Sequence, residues 1–167
     1  MASVGIFWDM DSCEPEQSHH LNDLIISLKY FSQNYGKLKQ IYISSTKITE
    51  KQKNLIEEIH YLTLLANHFE LMIELYGFVL ETKGRADVST PFPPLIPIKI
   101  IMITSRIEFA KSLFYLRGIG CSISLMCSIH SPIVLKTSVT ENQIFQWPPS
   151  FSQIQTFNFK DSILILI

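Results

Sequence analysis

Val4-Gly5-Ile6-Phe7-Trp8-Asp9-Met10-Asp11-Ser12-Cys13 decides the architecture. An unbroken apolar run of five residues that ends in two acids and a serine has the pattern of a strand buried on both faces, with a loop at its carboxy end. Leu21, Leu24, Ile25, Leu28 and Phe31 follow at helical spacing, with Gly36 just beyond, and Leu38–Ser44 returns to strand character.

Leu55, Ile59, Leu62, Ala66 and Phe69 form a second helical stripe. Leu71–Leu75 either continues that helix or supplies a third strand, and the strand is preferred. Leu95–Ile103 is an isoleucine-rich strand after Pro91, Pro93 and Pro94, which bar a helix there. Ile107–Arg117 carries Ala110, Leu113 and Phe114 on one helical face, with Gly118 as its stop, and Cys121–Cys127 is the next strand. Strands alternating with helices predict an α/β domain with a mostly parallel sheet of about five strands and helices on both faces. Residues 1–130 make that domain, and 131–167 an irregular extension. The run Ile163–Ile167 at its end is that of a truncated chain or of an added edge strand.

Bulk properties narrow the class. The chain has 167 residues, 47% hydrophobic and only 17% charged, which suits one domain with an ample core and disfavours disorder. A net charge of −1 gives no global attraction for a polyanion, so any such site is a local patch. Cys13, Cys121 and Cys127 form no CxxC pair and are expected as reduced, core-facing thiols. No signal peptide pattern opens the chain and no apolar run is long enough to span a bilayer, which points to a cytoplasmic protein without membrane attachment.

Ligand sites of parallel sheets lie beyond the carboxyl ends of the strands. Asp9, Asp11 and the Thr104-Ser105-Arg106 turn fall there. Other chemistry lacks support. His19-His20 point in different directions, His60 and His68 lack a third ligand, and Gly118-Ile119-Gly120 lacks the rest of a dinucleotide fingerprint, so neither zinc nor a nucleotide cofactor is expected. Ser105 and Glu108 have the spacing of a capping box, which competes with any ligand role for Glu108.

The stretch Val4–Cys13 resembles the opening signature of NYN domains, a branch of the PIN-like ribonucleases, in which an apolar run leads into Trp, Asp, Ile, Glu, Asn and Cys. Within them it is similar to the group of the meiosis regulator and mRNA stability factor (limkain) and its plant relatives. Ile101–Ala110 with Leu116-Arg117-Gly118 is similar to that group's Ser-Gly-Asp-x-Asp-Phe and Leu-Arg motifs, and Lys83 with Asp87 to its lysine followed four residues later by an acid. The resemblance spans about residues 3–128.

It implies a three-layer PIN-like fold, a role in RNA metabolism and regulation of gene expression, and a metal-dependent endoribonuclease ancestry. Catalysis in such a family needs clustered carboxylates holding Mg²⁺ or Mn²⁺ against a phosphodiester. Asp9, Asp87 and Glu108 are then the catalytic candidates, and Asp9, Asp87 and Asp11 the metal candidates. Lys83, Arg85, Arg106 and Lys111, with Arg117 beside them, are the candidates for RNA phosphates. RNA, single-stranded or structured, or a protein is the implied partner. Some members of the family are associated with peroxisomes.

The acidic set is incomplete. Ser12 replaces the family's asparagine, Ser44-Ser45 stand where an acid follows the second strand, and Arg106 replaces the first acid of the later motif. Two unit charges about 4 Å apart interact by roughly 4 kcal/mol at an effective dielectric near 20. Arg106 therefore either repels a metal or pairs with Asp9 and replaces it. Weakened or lost catalysis is expected, the alternative being a non-catalytic RNA- or protein-binding module.

Overall fold

The computed structural model describes residues 1–15, 21–83 and 96–148. Its centre is a six-stranded, all-parallel sheet in the order β3-β2-β1-β4-β5-β6. The strands are β1 (Ala2–Asp9), β2 (Gly36–Ser44), β3 (Leu62–Leu65), β4 (Ile98–Ile103), β5 (Ser122–Cys127) and β6 (Ile144–Gln146). The helices are α1 (Leu21–Ser32), α2 (Glu50–Glu57), α3 (His68–Lys83), α4 (Ala110–Gly118) and the short α5 (Ile133–Thr137). The architecture is the α/β sandwich expected, with one strand more than the five read from the pattern. That sixth strand lies inside the stretch taken as an irregular extension.

Strand β1 is central, and its residues Val4 to Asp9 are buried. Side chains alternate across a strand, so Val4, Ile6 and Trp8 enter one core with α1 and α2, while Phe7 enters the other with α3 and α4. Phe7 stacks on Tyr42 at 5.0 Å and meets Phe78 edge-on at 5.7 Å. A Cβ at Gly5 would come within 2.9 Å of the Phe78 ring, so α3 sits this close to the sheet only because residue 5 lacks a side chain.

The region 55–83 differs from the sequence reading. The stripe at 55–69 is not one helix, and Leu71–Leu75 is not a strand. The third strand is Leu62–Leu65, paired with Ile41–Ser44, and Leu71, Leu75, Phe78 and Val79 lie on the buried face of α3. Two caps set these boundaries. Thr49 and Gln52 form a reciprocal box at the start of α2. Asn67 accepts from the Glu70 amide while the Glu70 carboxylate accepts from the Ala66 amide at the start of α3. Four apolar residues suffice for a short strand, and helical spacing alone cannot distinguish that from a helix turn.

All three cysteines are free and buried. No helix among the described residues is long and apolar enough to cross a membrane.

Candidate functional site

Asp9, Ser44 and Thr104 stand at the carboxyl ends of β1, β2 and β4, three adjacent strands. Asp9 is the register partner of Ser44, and Trp8 that of Ile103, the residue before Thr104. The loop after β1 is tied down from both sides. The Trp8 indole donates to the Cys13 carbonyl at 2.8 Å, and the Trp147 indole donates to the Glu14 carbonyl at 2.9 Å. The two indole rings pack 5.1 Å apart.

The Asp9 side chain is only 1% exposed. Its Oδ2 accepts from Arg106 Nε at 2.8 Å, from the Ser12 hydroxyl at 2.6 Å and from the Thr104 hydroxyl at 3.0 Å. Its Oδ1 is buried without a hydrogen-bond partner among the described residues, as is the Ser44 hydroxyl. The same hydroxyls fasten the turn after β4, since Ser12 Oγ accepts from the Ser105 amide at 3.0 Å and Thr104 Oγ1 from the Arg106 amide at 3.1 Å. Arg106 thus reaches Asp9 from a turn that Asp9's own partners hold in place. Its side chain is 28% exposed, so the charge pair is half sheltered and half open to solvent.

Asp11 does different work. Its carboxylate accepts from the Thr46 amide, the Thr46 hydroxyl at 2.7 Å and the Ser45 hydroxyl at 3.1 Å, closing the loop after β2 onto the loop after β1. Partial burial opposes its ionisation. The bonds from Thr46 and Ser45, with the nearby Arg106 charge, outweigh that opposition and hold the carboxyl below its usual range.

The other candidates are not gathered here. Glu108 is exposed in a 3-10 turn (Ile107–Phe109) and makes no hydrogen bond or ion pair among the described residues. The expected Ser105–Glu108 capping box does not form. Arg106 takes the N-cap position, and the Ser105 hydroxyl turns inward to the Ser128 amide at 3.1 Å and the Cys13 sulfur at 3.4 Å. Lys111 is exposed on α4, and Lys83, the last residue of α3, lies near Cys121 at the amino end of β5, where its charge opposes the upward shift of that thiol, and not at the carboxyl edge with Asp9. Arg117 lies over the Phe114 ring at 5.5 Å. Asp87, Arg85 and the pair His19-His20 fall outside the described residues.

Mg²⁺ and Mn²⁺ bind through several oxygen ligands, with carboxylates supplying the charge. Asp9 Oδ2 is already shared by three donors, one of them a cation, and both Asp11 oxygens are engaged by Thr46 and Ser45. Among the described residues no three His, Cys, Asp or Glu side chains are grouped as a metal requires. As arranged, these residues do not fit a divalent cation at Asp9.

Sequence reading missed one buried charge altogether. Lys99 on β4 is 2% exposed, with its ammonium 4.0 Å from the centre of the Tyr35 ring and bonded to Ser122 and to Gln143 at 3.1 Å. Burial lowers its pKa to about 8. A lone lysine inside an isoleucine strand was the available signal.

The chain matches no family model and no curated protein.

Proposed function

We propose that this chain is a non-catalytic NYN-like module of RNA metabolism, in which the Arg106 guanidinium has taken the place of the metal ion and serves as an RNA phosphate contact. The observation that carries this reading is the 2.8 Å bond between Arg106 Nε and Asp9 Oδ2. Nε is committed to Asp9, which leaves the two terminal guanidinium nitrogens to form a fork for a phosphate. Asp9 fixes the orientation of that fork. The exposed Lys47, in the loop after β2, lines the same hollow as Asp11 and Ser45 and adds positive charge at this edge of the sheet.

The same pair argues against hydrolysis. Activating a water needs a carboxylate free to take a proton or a metal to acidify it. Asp9 is buried and neutralised by Arg106, and Glu108 has no contact with it.

The test is binding of a labelled single-stranded RNA across a salt series, together with a cleavage assay in Mn²⁺. The expected result is salt-sensitive binding, weakened about tenfold by Arg106→Gln, the loss of one charge-assisted contact, with the RNA left uncut. Cleavage that requires Mn²⁺ and disappears in Asp9→Asn would establish a nuclease instead. No RNA binding at low salt would end the reading.

A further inference from the structure

Helix α3 is apolar on two sides. Leu71, Leu75, Phe78 and Val79 face the core, yet Phe69, Ile73 and Leu80 are 64%, 69% and 52% exposed on the other side. A helix apolar all round belongs in an interior. Gly77 lies within this outer stripe, between Ile73 and Leu80. Among the described residues a Cβ there would meet nothing within 4 Å, so no packing among them calls for a glycine that costs about 1 kcal/mol against alanine. A bare helix backbone between two exposed aliphatic residues is what close approach of another chain requires.

The stripe continues onto α4. Tyr76 donates to Ser112 at 3.0 Å and its ring lies 6.4 Å from that of Tyr115. Beyond this seam, Phe114 and Tyr115 are 62% and 57% exposed. With roughly 150–250 Å² on each aromatic ring, the five exposed side chains leave on the order of 500 Å² of apolar surface open. That is at the upper end of monomer patches, about 300–600 Å², and more than half of the ~800 Å² each partner gives to a standard interface.

Charge identifies the partner. Glu74 and Glu81 border the surface on its β2 side, where they raise the pKa of the half-buried Tyr42 after burial itself has done so. Lys111 borders it on the opposite side, lining a groove of about 410 Å³ shared with Val134 and Thr137 of α5. Arg117 extends that basic border on α4. A twofold axis through the Tyr76–Tyr115 seam lays the acidic border of one copy on the basic border of the other, twice over. We infer that the α3–α4 face is a self-association surface and that its occupant is a second copy of this chain.

Sedimentation equilibrium of the full chain at tens of micromolar tests this. The expected mass is twice that of one chain, and Ile73→Lys, at an exposed position, returns it to one while leaving the far-UV circular dichroism spectrum unchanged. The double variants Glu74→Lys/Glu81→Lys and Lys111→Glu/Arg117→Glu are each monomeric alone and form a dimer when mixed. A parent that stays monomeric overturns the inference. So does a dimer that survives Ile73→Lys, or paired charge variants that stay apart on mixing.

Discussion

Arg106 Nε lies 2.8 Å from Asp9 Oδ2, joining the turn after β4 to the end of β1 across 97 positions of sequence. The partners differ in burial, with Asp9 sealed and Arg106 partly open. Removing the cation leaves an uncompensated carboxylate in the interior, whereas removing the carboxylate lets a long side chain swing into water.

The two halves of the pair therefore differ in what their loss costs. Arg106→Met is expected to destabilise the fold by about 3 kcal/mol. The double variant Asp9→Asn/Arg106→Met is expected to recover more than half of that loss. Urea unfolding of the parent, both single variants and the double variant closes the cycle. Equal stability of Arg106→Met and the parent contradicts a structural charge pair.

Much of this site was legible in sequence. The apolar run into Asp9 marks both the central strand and the edge at which its acid emerges, because only a strand covered on both faces reads as unbroken apolar residues. Pairing of Arg106 with Asp9 was one of two outcomes left open by the charge reversal. Other parts were hidden because they depend on partners remote in sequence. Ser105 lost its capping role to Ser128 and Cys13, and Leu62–Leu65 became a strand through pairing with Ile41–Ser44. Lys99 could not be placed without Tyr35, just before β2, and Gln143, just before β6, both remote from it in sequence.

Asp11 ties two loops together and does so only as a carboxylate. Its folded pKa lies below the usual value of 3.8. Its contribution is accordingly complete above that value and lost as the pH falls through the lower folded one. Asp11→Asn is expected to cost about 1–2 kcal/mol at pH 7, and the cost is expected to shrink as the pH falls below 3.8 and the parent carboxylate is itself protonated. Paired thermal melts across that range measure the difference.

Lys99 gives the opposite dependence. Its pKa falls from 10.5 to about 8 on folding, so the folded state carries the full cost of a buried charge below pH 8. Between pH 8 and 10.5 the folded protein releases this proton before the unfolded chain does, and stability rises. The buried thiols act against it, because burial pushes Cys13 up to about 12 and Cys121 to about 11, which weakens the fold above pH 9. The informative quantity is the stability of the parent relative to Lys99→Met. It is expected to improve by about 3 kcal/mol from pH 8 to 10.5, and a flat difference contradicts a buried ammonium.

On the proposed NYN reading, reversing the charge at 106 supplies the acid expected at this position. Arg106→Asp places a second carboxylate in the turn beside Asp9, leaving Ser12 and Thr104 as neutral neighbours. That variant is expected to bind Mn²⁺ in calorimetry at least tenfold more tightly than the parent, and to lose the gain when Asp9→Asn is added. Absence of any gain contradicts the equivalence of the guanidinium and the ion.

Titration of the unaltered protein with Mn²⁺ tests the claim that Arg106 keeps a metal from Asp9. With Arg106 holding Asp9, no stoichiometric heat is expected up to millimolar metal. One equivalent bound at micromolar concentration, and lost in Asp9→Asn, would contradict the claim.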